Sequence, residues 1–174
     1  MSNQPSATDR VVAPLRESRR PLYEGLRQVQ VAAGAVDTAA DGVALVALAA
    51  ALAYLQGELV PACRAEEATL FIAVEGALAS VYSTRVMKAQ HASIGAMVAD
   101  LAQVVGAARA DGDVAAYRRY LLPLLYGLYA LVRAHLEAED DAYISLLDDH
   151  LSESQVVMIV DNMRRMISGG TKTK

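Results

Sequence analysis

Four ionisable side chains stand where a helical protein would ordinarily place apolar ones. They are Glu66 in PACRAEEATLF (61–71), His91 in MKAQHASIGAMV (87–98), and His135 with Glu139 in HLEAE (135–139). Imidazole and carboxylate together suit iron, manganese or zinc. His135 and Glu139 at i and i+4 share one helical face. A carboxylate on a core seam needs a metal ion, a basic side chain, or a helix turned so that it meets water.

The elements that would position these groups follow from apolar spacing. In the second helix Leu45, Leu48, Leu52, Leu55 and Leu59 recur at steps of three and four, and the same steps continue to Ala62, Glu66, Thr69 and Ala73. A third stripe reads Met87, His91, Ile94, Val98, Leu101 and Val105. A fourth reads Leu121, Leu125, Leu128, Val132, His135, Glu139, Ala142 and Leu146. Such stripes face a helical core, so the third choice for Glu66, exposure to water, is not expected. Counted from turns expected near residues 37 and 111, at about 1.5 Å per residue, the four groups lie level at one end of the bundle.

The predicted boundaries are a helix over about 14–33 opening at Pro14, a turn over 37–42 and a helix over about 41–70. A connection over 75–83 follows. Thr84 is expected to cap a helix reaching about residue 110, and Asp113 one reaching about residue 148, with Pro123 a candidate kink. Ser152 with Gln155 fits a capping box, opening a short helix over about 152–167 that Gly169 and Gly170 end. The fold class is therefore all-α: an up-down-up-down four-helix bundle with a short fifth C-terminal helix. Residues 1–12 and 169–174 read as flexible tails around one domain, 13–168.

Bulk properties narrow the function. The 174 residues suit one domain, and 54% apolar content with one Phe, no Trp and five Pro favours helices over sheets. A net charge of −4 gives no basic surface for nucleic acid. Cys63, the single cysteine, excludes an internal disulfide and suits a reducing cytoplasm. MSNQPSATDR has no apolar signal segment. The apolar run VALVALAAALAYL (43–55) is too short for a bilayer and reads as a buried helix, so no membrane is expected. No Gly-rich phosphate loop and no Ser/His/Asp arrangement is present. Asp140, Asp141, Asp148 and Asp149 read as solvated, and His150 as a surface residue. Tyr117, Tyr120, Tyr126 and Tyr129 read as packing or interface residues, with a homodimer among the expected assemblies.

LRESRRPLYEGL (15–26), LVPACRAEEATLF (59–71), MKAQHASIGAMV (87–98) and RAHLEAEDDAYISLLDDHLSES (133–154) resemble the hemerythrin-like (HHE cation-binding) family over roughly residues 14–168. That family's pattern is His on the first helix, HxxxE on the second, His on the third and HxxxE on the fourth. His91 and HLEAE match, and so does Glu66, while Ser18 and Ala62 stand where His is expected. Ser18 to His91, Ala62 to His135 and Glu66 to Glu139 are each 73 positions apart, so the two hairpins read as related halves.

The resemblance implies a metal centre altered in one half. The family's two ion sites share bridging carboxylates, one site served by the first- and second-helix His, the other by the third- and fourth-helix His. On that pattern Glu66, His91, His135 and Glu139 would hold one ion, iron before manganese or zinc, and the other site lacks nitrogen. Glu58, Cys63, Tyr23 and Tyr54 are the substitute ligands in reach. The implied partner is a small diatomic ligand, O₂ or NO, or peroxide, acted on or sensed. Two alternatives stand beside it: an iron-dependent oxidase or oxygenase whose small-molecule substrate fills the space beside Ser18 and Ala62, and a metal-free bundle that binds a partner.

Overall fold

A computed structural model describes residues 11–170. The first apolar stripe forms α1 (Ala13–Thr38), which has Pro14 in its first turn and buries Leu15, Leu22, Leu26, Val29 and Val36. It runs past the expected end near residue 33, because nothing in GAVDT stops it before Ala39 turns to extended backbone.

The second rod is continuous from Asp41 to Ala77 but not regular. It comprises α2 (Asp41–Tyr54), a π-helical turn Leu55–Leu59, α3 (Val60–Ala68) and α4 (Leu70–Ala77). Thr69 breaks the helix at φ −135°, ψ −70°. The break moves the buried face by one residue: Thr69 and Ala73 are half-buried, and Leu70, Phe71 and Val74 are core. The connection that follows is correspondingly shorter than 75–83.

Every member of the third stripe is buried in α5 (Arg85–Asp111). Thr84 precedes α5 without capping it; its hydroxyl donates to the Glu75 carboxylate instead. Gly112 closes α5 at φ +67°, a left-handed conformation that glycine adopts at no steric cost. Asp113 caps α6 (Val114–Ala138) by accepting from the Ala116 amide, and α6 continues through Pro123 as one helix. A second π-helical turn, Glu139–Ile144, leads into α7 (Ser145–Asp148). Its extra residue rotates the face, so Ala142 is exposed and Leu146 half-buried, while Tyr143, Ile144 and Leu147 are core. The Ser152–Gln155 capping box forms: Gln155 accepts from the Ser152 amide at 2.9 Å, and Ser152 Oγ accepts from the Gln155 amide at 3.4 Å. It opens α8 (Glu153–Gly170), which runs through the glycines expected to end it.

α1 packs on α2 and α6, and α5 on α6, giving the bundle; α8 lies against α1 and α3. Two hydrophobic clusters result. The larger includes Leu48, Leu55, Leu101, Leu121 and Leu128, and the smaller Leu15, Phe71, Ile144, Leu147 and Val156. The ionisable groups occupy the seam between them. Tyr117 and Tyr129 pack partly on the larger cluster, whereas Tyr120 and Tyr126 are exposed. Val12, expected in a tail, is buried and its amide donates to Asp148 Oδ1 at 3.2 Å; residues 1–10 and 171–174 lie outside the described residues. The rods Asp41–Ala77 and Arg85–Asp111 are each long and apolar enough to cross a membrane by length and composition, more than the 43–55 run alone suggested. Both turn a face into the bundle core.

Close packing of α1 on α2 depends on Gly25. A Cβ there would lie 2.2 Å from the Tyr54 ring, whose hydroxyl donates to Leu22 O at 2.7 Å. Gly25→Ala is expected to displace that ring and lower stability by about 1–3 kcal/mol, read by thermal denaturation; an unchanged midpoint would refute this packing.

Candidate metal centre

α1 places an arginine at the middle of the site. Arg19 follows Leu15 by four residues and precedes Leu22 by three, so it lies on the inward seam and is 1% exposed. Ser18, at the family's His position, is half-buried and donates to Leu15 O at 2.7 Å. Arg19 Nη1 donates to Glu66 Oε1 and Nη2 to Glu139 Oε2, both at 2.6 Å. Its Nε lies 2.9 Å from Asp140 Oδ1. The partner of Glu66 is thus a basic side chain, one of the choices its position posed. Burial opposes the Arg19 charge, but Glu66, Glu139 and Asp140 more than offset it, so the guanidinium stays protonated.

The imidazoles meet on the other side of the carboxylates. His91 Nε2 and His135 Nε2 are 2.9 Å apart. His91 Nε2 is 3.5 Å from Glu66 Oε2, and His135 Nε2 is 3.4 Å from Glu139 Oε2. The outer nitrogens are tied down: His91 Nδ1 to Glu67 Oε1 and His135 Nδ1 to Gln90 Oε1, each at 2.9 Å. A carboxylate or carbonyl oxygen only accepts, so each Nδ1 carries its ring's proton. Both Nε2 lone pairs then point at one small volume, which requires a cation, either a proton or a metal ion. Metal-ligating histidines are characteristically oriented in this way, by an acceptor on the second ring nitrogen.

In the metal-free chain the surroundings of His91 favour a proton on its ring. Burial acts to lower its pKa, but the neighbouring Cys63 and Glu66 outweigh it and raise the value. Burial pushes the Cys63 thiol up, against the lowering effect of its hydrogen bond with His91. Burial, and then the charge on His91, lower His135 to about 4. The carboxylates also differ. Burial opposes ionisation of Glu66, yet Arg19 and His91 hold its pKa below the usual range. Burial and the Glu66 charge push Glu139 up to about 7.

The donor set has the chemistry of a metal site. Ligand atoms of Cys63, Glu66, His91 and His135 all lie within 4.8 Å of one another. At metal–nitrogen distances of about 2.0–2.1 Å, nitrogens 2.9 Å apart subtend roughly a right angle. Glu139 Oε1 is buried with no hydrogen-bond partner among the described residues. On the other side, where the sequence lacks two imidazoles, the Arg19 guanidinium already bridges the two carboxylates.

The sequence-predicted residues Glu66, His91, His135 and Glu139 are thus brought together. Of the suggested substitutes, only Cys63 has a ligand atom in the group. Tyr23 donates to Asp140 Oδ2 at 2.6 Å, Tyr54 to Leu22 O, and Glu58 is exposed. Asp140 is not simply solvated, since it serves Arg19 and Tyr23. His150 is exposed, hydrogen-bonded to Leu146 O. Sequence reasoning missed Arg19, Glu67 and Gln90. The signal for Arg19 was the uncounted stripe Leu15, Arg19, Leu22, Leu26, Val29. The repeat extends to the outer groups: Glu67 and Asp140 are also 73 positions apart, and each pairs with a basic group of the opposite half, His91 and Arg19.

Comparison with known proteins gives one result that covers the site. A model of the hemerythrin HHE cation-binding domain matches residues 12–147. No curated protein and no solved structure matches. The match takes in all four bundle helices and every residue around Arg19, His91 and His135, and stops before α8: the chain belongs to the hemerythrin HHE cation-binding domain family.

Proposed function

We propose that this chain binds a single non-haem metal ion, iron first, through His91, His135, Glu66 and Glu139, with Arg19 as the fixed counter-charge where a second ion would lie. The observation that carries the reading is the pair of facing Nε2 atoms at 2.9 Å, each ring oriented from behind by Glu67 or Gln90. Charge balance supports one ion. Glu66, Glu139 and Asp140 offer three negative charges when ionised and Arg19 supplies one positive, leaving a deficit that one divalent ion fills. Without metal the deficit is met by protons, on His91 and on Glu139.

An iron ion held by four such ligands would supply open positions for O₂, NO or peroxide. The protein's own part is to orient the imidazoles, to exclude bulk water with the buried Ile94, Val132 and Leu136 within one turn of them, and to keep Arg19 charged beside the carboxylates. Binding or sensing of these small ligands is the function that follows. Arg19 also supports a second reading, a metal-free bundle whose buried cluster is purely structural, because it neutralises part of the carboxylate charge without any ion. Metal content after anaerobic Fe(II) loading and desalting separates the two: one ion retained per chain supports the metal reading, and none retained supports the structural one.

A further inference from the structure

We infer that the cavity between α1, α3 and α8 is a binding site for a small apolar monoamine. The cavity is about 390 Å³ in volume, within the usual range for small-molecule sites. Its walls are apolar, formed by Leu22, Ala62, Val160, Met163 and Ile167. Its floor is the buried Arg19–Glu66 pair, and its rim carries the exposed Glu17, Glu58 and Arg164. Ala62 and the half-buried Ser18 open it where imidazoles would otherwise intrude. The family match ends at residue 147, whereas Val160, Met163 and Ile167 come from α8. The cavity is therefore a feature of this chain's C-terminal helix and goes beyond the metal reading, on which it does not depend.

Its charges select the ligand. Arg19 is hydrogen-bonded to Glu66 and Glu139 and ion-paired with Asp140. Arg164 leans toward Asp161 at 3.9 Å, and Glu17 toward Arg20 at 3.5 Å. Ser18 Oγ spends its proton on Leu15 O and keeps only lone pairs for a ligand. Glu58 makes no hydrogen bond or ion pair among the described residues. It lies in the π-helical turn Leu55–Leu59, a distortion often found at functional sites. A ligand with an apolar body against Met163 and Val160 and a protonated amine at Glu58 matches walls and rim together. An anionic ligand would meet the carboxylates of both Glu58 and Glu17, with Arg164 as the single exposed cation of the lining beside them.

The test is calorimetric titration of the full chain, metal-free after chelation, with phenethylamine, 2-phenylethanol and 3-phenylpropionate. Phenethylamine is expected to bind tightest, about two- to fivefold better than the alcohol, in line with one exposed ion pair. Glu58→Gln should remove that preference and leave alcohol binding unchanged. Ala62→Phe, with folding checked by circular dichroism, should abolish binding of both. Tighter binding of the propionate, an amine preference that survives Glu58→Gln, or no heat with any of the three would overturn the inference. Metal content is measured separately, so loss of the amine site with metal retained refutes only this site.

Discussion

Arg19→Met is expected to lower the unfolding free energy of the metal-free protein by about 3–5 kcal/mol, the usual cost of removing one partner from a buried ion pair. Glu66 and Glu139 are 1% and 0% exposed, and each depends on a guanidinium N–H at 2.6 Å. Methionine fills similar volume but returns no charge, so the two carboxylates would face each other in an apolar seam. Protonation of Glu139, already pushed up to about 7, would relieve part of the repulsion. The loss should therefore be smaller at pH 5 than at pH 8, because at the lower pH Glu139 is neutral and no longer repels Glu66. Urea unfolding of chelated protein at both values is the measurement. A loss under about 1 kcal/mol at pH 8 would show that Arg19 is not what neutralises the carboxylates. Glu24→Gln, which touches only the exposed Arg20 pair, should change stability by less than about 0.5 kcal/mol.

The second large effect is on metal retention. Wild-type chain loaded anaerobically with Fe(II) is expected to keep one ion through desalting, and His135→Ala to keep none. His135 supplies one of the two converging Nε2 atoms, and the Gln90 bond that aims it serves no other group in the site. His150→Ala should retain the ion, since His150 is exposed at the end of α7. Gln90→Leu should weaken retention by roughly 10–100-fold, the usual effect of losing an orienting partner behind a ligand. Mass-spectrometric stoichiometry reads all four proteins. Two ions per wild-type chain would mean that Arg19 swings out of the carboxylates, and would remove the single-ion reading.

Much of this arrangement is legible in the amino-acid sequence. The third stripe needs no correction, because α5 is an uninterrupted helix and a period of 3.6 then fixes which side chains share a face. His135 and Glu139 are equally secure, being one turn apart on one face. The 73-position repeat places Glu66 opposite Glu139 although they lie on different rods. Legibility fails at two of the three breaks in the helical period, while the stripe holds through the π-helical turn Leu55–Leu59. Beyond Thr69 and through the π-helical turn at 139–144, the faces shift by one residue, so Thr69, Ala73, Ala142 and Leu146 yield to their neighbours. Such breaks carry no strong local signal, since Thr, Asp and Ala are all tolerated in regular helices.

The sequence by itself determined the helices, the bundle and the four inward-facing ionisable groups, because each is a matter of spacing along one rod. Only the tertiary structure decided what neutralises them. Arg19, Glu67, Asp140 and Gln90 look like ordinary surface charge and polarity in a linear reading, as most such residues are. Packing of α1 against α6 drives Arg19 into the seam, and packing of α5 beside α3 and α6 sets Glu67 and Gln90 behind the imidazoles. Burial then makes each charge depend on the group nearest in space, whatever its distance along the chain. Arg19 holds Glu139 across 120 positions of sequence, because a carboxylate in a dry core is stable only beside a counter-charge that also donates hydrogen bonds, and the guanidinium reaches both carboxylates at once.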